Sequence, residues 1–364
     1  MTESQLGQSA GSPVRTSPSE EGFLPEPEGI TLPRGFQEIA EDEQLNQRVT
    51  DGLEQIEQRL NEAMRFTDTL ADVASRHLLE AGGKRVRPLL TLLAAEAAGE
   101  ITEDVHQAGA VTELTHLATL YHDDVMDDAS KRRGTDAAHT IWGNSVAILT
   151  GDLIFSRASL MISELGQRAL TIQAKTFERL VLGQLHETTG PQHGEDRLEH
   201  YIKVIEGKTG SLIAAACEYG ALLSGAPEAV IQTLVQYGEL VGVAFQLADD
   251  VIDVTASHQL SGKTPGTDLR EGVPTLPSIL VRQAAHRGEA EAQRVVELMD
   301  ADLSTDEALT RAVEALAAHP ATQQAWEIAN QWAEDAIAAL NPLPESTVKR
   351  ALRSFAQAVV RREA

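Results

Sequence analysis

Three features of this 364-residue chain point to an all-α protein. Strong helix formers, Ala, Leu, Glu, Gln and Arg, dominate from about Phe36 nearly to the C-terminus. Apolar residues recur at helical spacing, as in Val49, Leu53, Ile56, Leu60 and Met64, and again in Val348, Leu352, Phe355 and Val359. Strand-like alternation is scarce, and the one ambiguous stretch, residues 142–149, reads better as helix.

Taken in order, residues 1–35 are rich in Pro, Ser, Gly and Glu and carry Pro13, Pro18, Pro25, Pro27 and Pro33, so a disordered tail is expected ahead of a helical domain over 36–364. Helix ends are marked by Ala81-Gly82-Gly83, Gly134, Ser224-Gly225-Ala226-Pro227 and Asn341-Pro342. A hydrophobic content of 42% supports a large core, and a net charge of −25 argues against nucleic acid or anionic membrane surfaces as partners. Cys217 is the only cysteine, which excludes a disulfide framework and fits a reducing, cytoplasmic setting. No signal peptide and no run of about 18 uncharged apolar residues is found, so no transmembrane segment is expected.

The chemistry concentrates in Tyr121-His122-Asp123-Asp124-Val125-Met126-Asp127-Asp128, where a helix places Asp123 and Asp127 one turn apart on one face. A solvated acidic face would explain one such run. A second, Phe245-Gln246-Leu247-Ala248-Asp249-Asp250-Val251-Ile252-Asp253, repeats the pattern among apolar residues, where carboxylates are costly unless paired. Hard carboxylate oxygens on two facing helices suit Mg²⁺ better than zinc.

In so acidic a chain, Gly82-Gly83-Lys84-Arg85-Val86-Arg87-Pro88 and Lys131-Arg132-Arg133 stand out as basic clusters that would gather an anion. Lys208 and Lys263 each sit in a Gly-Lys-Thr triplet at a loop or helix end, without the upstream glycines of a nucleotide-binding loop. His116, two turns before Asp123, can donate to an anion on the same face. Acidic clusters beside basic ones describe a site for two phosphorylated substrates, one reached through metal ions and the other held by Arg and Lys.

These motifs, with Gly151-Asp152-Leu153, Gly207-Lys208-Thr209, Gly262-Lys263, Asp268-Leu269-Arg270-Glu271-Gly272 and Thr275-Leu276-Pro277, resemble those of the all-trans polyprenyl diphosphate synthases, in the same order from about Phe36 onward. The resemblance implies a single-domain bundle of helices around a deep central cavity, usually a homodimer. It implies that Lys84, Arg87, His116 and Arg133 bind isopentenyl diphosphate. Asp123, Asp127 and Asp249 would hold Mg²⁺ on an allylic diphosphate, with Arg132, Lys208, Thr209, Gln246 and Lys263 around it. Val273-Pro274 departs from the family, many of whose members have a lysine there. The alternatives are a cyclase of the same fold, which would not need the Lys84–Arg87 cluster, and a non-catalytic partner subunit, which would not need both acidic motifs. Product length rests on the positions one turn below Asp123: Ala118 and Thr119 are small where short-chain relatives tend to carry aromatics. An open floor there implies a long product, of the kind used for a quinone side chain, rather than a farnesyl or geranylgeranyl diphosphate.

Overall fold

The structure, a computed structural model, describes residues 35–255 and 265–361. The tail lies outside them except for Gly35, and so does Lys263. After a 3₁₀ turn (Gln37–Glu41) come α1 (Glu43–Ala63), α2 (Thr69–Glu80), α3 (Val86–Ala98) and α4 (Glu103–Met126). A short antiparallel ribbon, β1 (Lys131–Arg132) and β2 (Thr135–Asp136), precedes α5 (Ala138–Trp142), α6 (Asn144–Ser163), α7 (Gln167–Thr189) and α8 (Arg197–Ile205). A π-helical turn (Glu206–Gly210) runs into α9 (Ser211–Leu223), followed by α10 (Glu228–Thr255). Next are α11 (Thr267–Glu271), α12 (Leu276–His286), α13 (Ala290–Met299), α14 (Asp306–Ala318), α15 (Pro320–Ala339) and α16 (Thr347–Val360).

Helix starts follow local chemistry: Asp42, Asp68, Thr102, Asp196 and Ser346 accept from the first free amides of α1, α2, α4, α8 and α16. The apolar stripes of α1 and α16 are buried, as their spacing predicts. By contrast α3, α4, α9 and α10 are buried around most of their circumference, so they form the centre, with α3 on α9, α9 on α10 and α4 on α3, α6 and α9. That arrangement lets α4 and α10, the two acidic helices, line one cavity.

Three local expectations are corrected. Gly134 ends no helix: α4 stops at Met126, and Gly134 turns the ribbon with φ of 81°. The first Gly-Lys-Thr triplet is the π turn inside a continuous helical run, not a loop. The stretch 142–149 is helical but broken at Gly143, whose φ of 85° separates α5 from α6. Moreover, α6 is long and apolar enough to cross a membrane by length and composition, with 33% of its most apolar window buried. Its charges are engaged within the fold: Asp152 pairs with His122 at 3.3 Å, and the Arg157 guanidinium lies 4.8 Å from the centre of the Phe66 ring.

Candidate active site

A cavity of about 1070 Å³ opens between α4, α7, the π turn and α10. Helical spacing puts His116, Thr119, His122, Asp123 and Met126 of α4 on its wall, with Phe245, Gln246 and Asp249 of α10. Lys84, Arg87, Arg132, Arg133, Lys208 and Thr209 also line it, so most of the residues singled out in the sequence meet in one space. Two do not line it. Asp127 caps α4 as an exposed residue, and Ala118 is buried in the core at 2% exposure, leaving Thr119 as the rung that faces the cavity.

At the acidic end, burial pushes the Asp123 carboxyl up to about 6; Lys208 opposes the shift, and Asp127 and Glu187 add to it. The Lys208 ammonium donates to Glu187 at 2.6 Å. Burial pulls Lys208 down, but the carboxylates of Asp123, Glu187 and Asp127 outweigh it and hold the lysine above its ordinary range. Lys208 reaches this position because α7 and the π turn touch: a side chain on Gly183 would meet the Lys208 amide at 2.7 Å, and one on Gly207 the Arg179 carbonyl at 2.9 Å. The glycine of the triplet thus serves helix packing.

The second Asp of each motif points away from the cavity. Asp124 is fully buried and takes Arg132 Nε at 2.6 Å, which holds that guanidinium at the cavity edge; its Oδ2 has no hydrogen-bond partner among the described residues. Asp250 accepts from the Tyr201 hydroxyl, from Gln246 Nε2 at 3.2 Å and from the Leu276 amide at 3.2 Å, and burial pushes it up to about 7. Thr209 Oγ1 donates to Gln246 Oε1 at 3.1 Å, linking the π turn to α10.

The basic end is built around an acid that sequence reasoning missed. Glu113, buried at 2% exposure, pairs with Arg85 at 3.1 Å and Arg133 at 3.5 Å. Arg85 also forms a fork with Glu57, at 2.9 Å for each nitrogen, so the middle cation of 84–87 is a structural brace. Both Arg85 (φ 48°) and Arg133 (φ 52°) adopt the left-handed conformation, a local strain that clusters at functional sites. Arg87 is different: burial draws it below its ordinary range, Glu113 opposing and Arg133 adding, and its buried Nε has no partner among the described residues. Burial, then Arg87, Arg133, Arg132 and Arg85, hold His116 well below the ordinary histidine range. The signal for Glu113 was present, a charged residue among the apolar positions Val111, Leu114 and Leu117; Glu187 had none, since its partner is brought to it by the fold.

Among the described residues, no three acidic, His or Cys side chains are close enough together to hold a metal by themselves. The donor chemistry nevertheless suits a hard divalent ion. Asp123 and Asp249 offer carboxylate oxygens to the same cavity from opposing helices, and a cation would hold the raised Asp123 carboxyl ionised.

The sequence profile of the polyprenyl synthetase family matches residues 68–316. The chain is 41% identical over 315 residues to a nonaprenyl diphosphate synthase of Mycobacterium tuberculosis, covering 86% of this chain and 93% of that protein. It superposes with a TM-score of 0.78 on a geranylgeranyl pyrophosphate synthase of Corynebacterium glutamicum, solved in complex with calcium and isoprenyl diphosphate, at 42% identity, covering 88% of this chain and 98% of that one. The same score, 0.78, relates it to a decaprenyl diphosphate synthase of Rhodobacter capsulatus at 33% identity, covering 88% and 98% of the two chains. With the profile, the fold and the motifs in agreement, the chain belongs to the polyprenyl synthetase family of prenyltransferases.

Proposed function

We propose that the protein condenses isopentenyl diphosphate with an allylic diphosphate to build a long all-trans polyprenyl diphosphate. The observation that carries this reading is one cavity lined by carboxylates from two helices, by a basic cluster in which the buried Arg87 Nε has no partner among the described residues, and by apolar side chains. Lys84, Arg87, His116 and Arg133 bind the isopentenyl diphosphate; its oxygens supply the acceptors that Arg87 Nε lacks. Asp123 and Asp249 on the cavity wall, with Asp127 at the end of α4, would hold a divalent ion, Mg²⁺, which when bound would offset the charge of the allylic diphosphate and improve it as a leaving group. Arg132, Lys208, Thr209 and Gln246 orient that diphosphate, and Lys263 completes the set from outside the described residues.

The allylic C–O bond breaks with its electron pair leaving on diphosphate. The isopentenyl double bond attacks the allylic carbon, and the resulting cation loses a proton to the departing diphosphate. Phe177, Leu180, Ile213 and Phe245 exclude water from that cation and receive the growing tail. The long-chain product is supported by the nonaprenyl and decaprenyl relatives and by Thr119, a small side chain, on the cavity wall. The working protein is a cytoplasmic homodimer: Leu149 and Leu160 of α6 and Leu182 of α7, none of which lines the cavity, stand exposed as apolar surface that a second copy would cover. Purified protein given isopentenyl diphosphate, farnesyl diphosphate and Mg²⁺ should release a long polyprenyl diphosphate seen by mass spectrometry. Absence of any condensation product would sink the proposal.

A further inference from the structure

A second cavity, of about 340 Å³, adjoins the acidic end of the first, between the C-terminal end of α7, α8, α11, α12 and the end of α13. The condensation makes no use of this space, yet two of its wall residues reach directly into the active site. Glu187 accepts from Lys208 Nζ at 2.6 Å, and Lys208 lines the catalytic cavity. Tyr201 donates its hydroxyl hydrogen to Asp250, whose neighbour Asp249 faces that cavity. These contacts come from α7 and α8 and act on the two structures that present the acidic end, the π turn and α10. Whatever fills the second cavity therefore presses on both.

The walls select a class of ligand. Val204, Ile279 and Met299 are buried, and Pro191, Leu269 and Val273 complete an apolar lining. Most polar groups on it are already paired. His200 sets its ring nitrogens against Glu195 and the His186 carbonyl, each at 3.1 Å, and Arg282 forks onto Asp300 at 2.6 and 3.2 Å. Arg197, at the first turn of α8, is the exception: it makes no hydrogen bond or ion pair among the described residues. A diphosphate would bring several negative charges towards the Glu187 and Asp300 carboxylates with one uncommitted cation to receive them, whereas a single negative charge matches Arg197. The volume lies at the small end of ligand pockets, which run about 300–1,000 Å³. We propose that this cavity is a regulatory site for a monoanionic amphiphile of the fatty-acid type, with its chain among the apolar residues and its carboxylate on Arg197. Its effect on catalysis rests on the condensation reading above: a chain packed against Glu187 and Tyr201 favours the arrangement in which Lys208 is committed to Glu187, so occupancy weakens binding of the allylic diphosphate.

The test titrates octanoate into the full chain by isothermal titration calorimetry, which needs no turnover, and separately follows its effect on the kinetics with farnesyl diphosphate, isopentenyl diphosphate and Mg²⁺. Arg197→Gln should weaken octanoate binding about tenfold, the cost of one charge-assisted contact, and 1-octanol should bind wild type as weakly. Val273→Trp, at a position 37% exposed, fills the cavity from its rim and should abolish binding with helicity intact. Saturating octanoate should raise the KM for farnesyl diphosphate about fivefold or more and leave that for isopentenyl diphosphate unchanged. Without octanoate both variants should turn over like wild type, and in Val273→Trp octanoate should change nothing. An octanoate effect that persists in Val273→Trp puts the ligand in the catalytic cavity and overturns the proposal, as does the absence of binding at millimolar concentration. Binding lost in Val273→Trp but without any change in KM overturns the regulation. A wild type that forms no product overturns the condensation reading, while octanoate binding weakened in both variants still supports the site.

Discussion

The two acidic motifs divide labour in the same way and anchor differently. In each, the first aspartate (Asp123, Asp249) faces the cavity and the second (Asp124, Asp250) is turned into the protein. Asp124 is held by a cation, Arg132, which it delivers to the cavity edge. Asp250 is held by neutral donors from α8, α10 and α12, so it ties three helices together. Adjacent carboxylates on a helix are about 100° apart, so both cannot serve one cavity. The doubled Asp therefore combines a ligand with an anchor, and the anchor decides how rigidly the ligand is presented.

The largest effect expected from breaking this pattern is on the cavity-facing pair. Asp123→Ala and Asp249→Ala should each lower kcat by about 10²–10³-fold, the cost of losing one preorganised electrostatic contact to the transition state. Circular dichroism should remain unchanged. Near-normal turnover in either variant would mean that the two helices do not share one reaction centre.

Next in size is the anchor. Asp250→Ala strands the Tyr201 hydroxyl, the Leu276 amide and Gln246 Nε2 in a buried place, and should cost about 2–4 kcal/mol in urea unfolding. If stability is unchanged while activity falls, Asp250 reaches the cavity in solution and the division between ligand and anchor is wrong.

How much of this was legible in the chain depends on where the signal resides. Periodicity disclosed the helices because α1 and α16 each bury one stripe, and the acidic and basic clusters stood out against apolar or acidic surroundings. Which aspartate of each pair faces the cavity was partly legible, since helical spacing joins Asp123 to Thr119 and His116. Glu113 stood out as a charge among apolar residues, but its role was hidden because its partners, Arg85 and Arg133, are 28 and 20 residues away, and only the fold brings them together. The π turn at Lys208 was hidden for a similar reason: it depends on Gly183 of α7 meeting Gly207. Helical spacing already puts Thr119 nearer the Asp face than Ala118, whose place on the floor rested on the resemblance, and the structure buries Ala118 in the core.

The smallest effect is also the one that separates ligand from anchor most sharply, because its sign is reversed. Asp123 has a folded-state pKa of about 6, raised chiefly by burial above the ordinary aspartate value of 3.8. Above pH 6 its ionised form therefore weighs against the folded state. As the pH falls from 6 towards 4, the folded protein takes up a proton that the unfolded chain does not, and this penalty is relieved. Asp123→Asn removes the titration, so the metal-free variant should be more stable than wild type at pH 8, by about 1–2 kcal/mol after allowing for partial exposure. The advantage should shrink to nothing near pH 4. Asp250→Ala should be less stable than wild type at pH 8, since what it loses is hydrogen bonding. Adding Mg²⁺ with inorganic diphosphate should reverse the order for Asp123→Asn by stabilising wild type alone. Urea titrations at pH 8 and pH 4, with and without those ligands, measure every term. An Asn variant less stable than wild type at pH 8 without metal would show that Asp123 is already paired within the fold, and that the acidic end is an anchor like its neighbour.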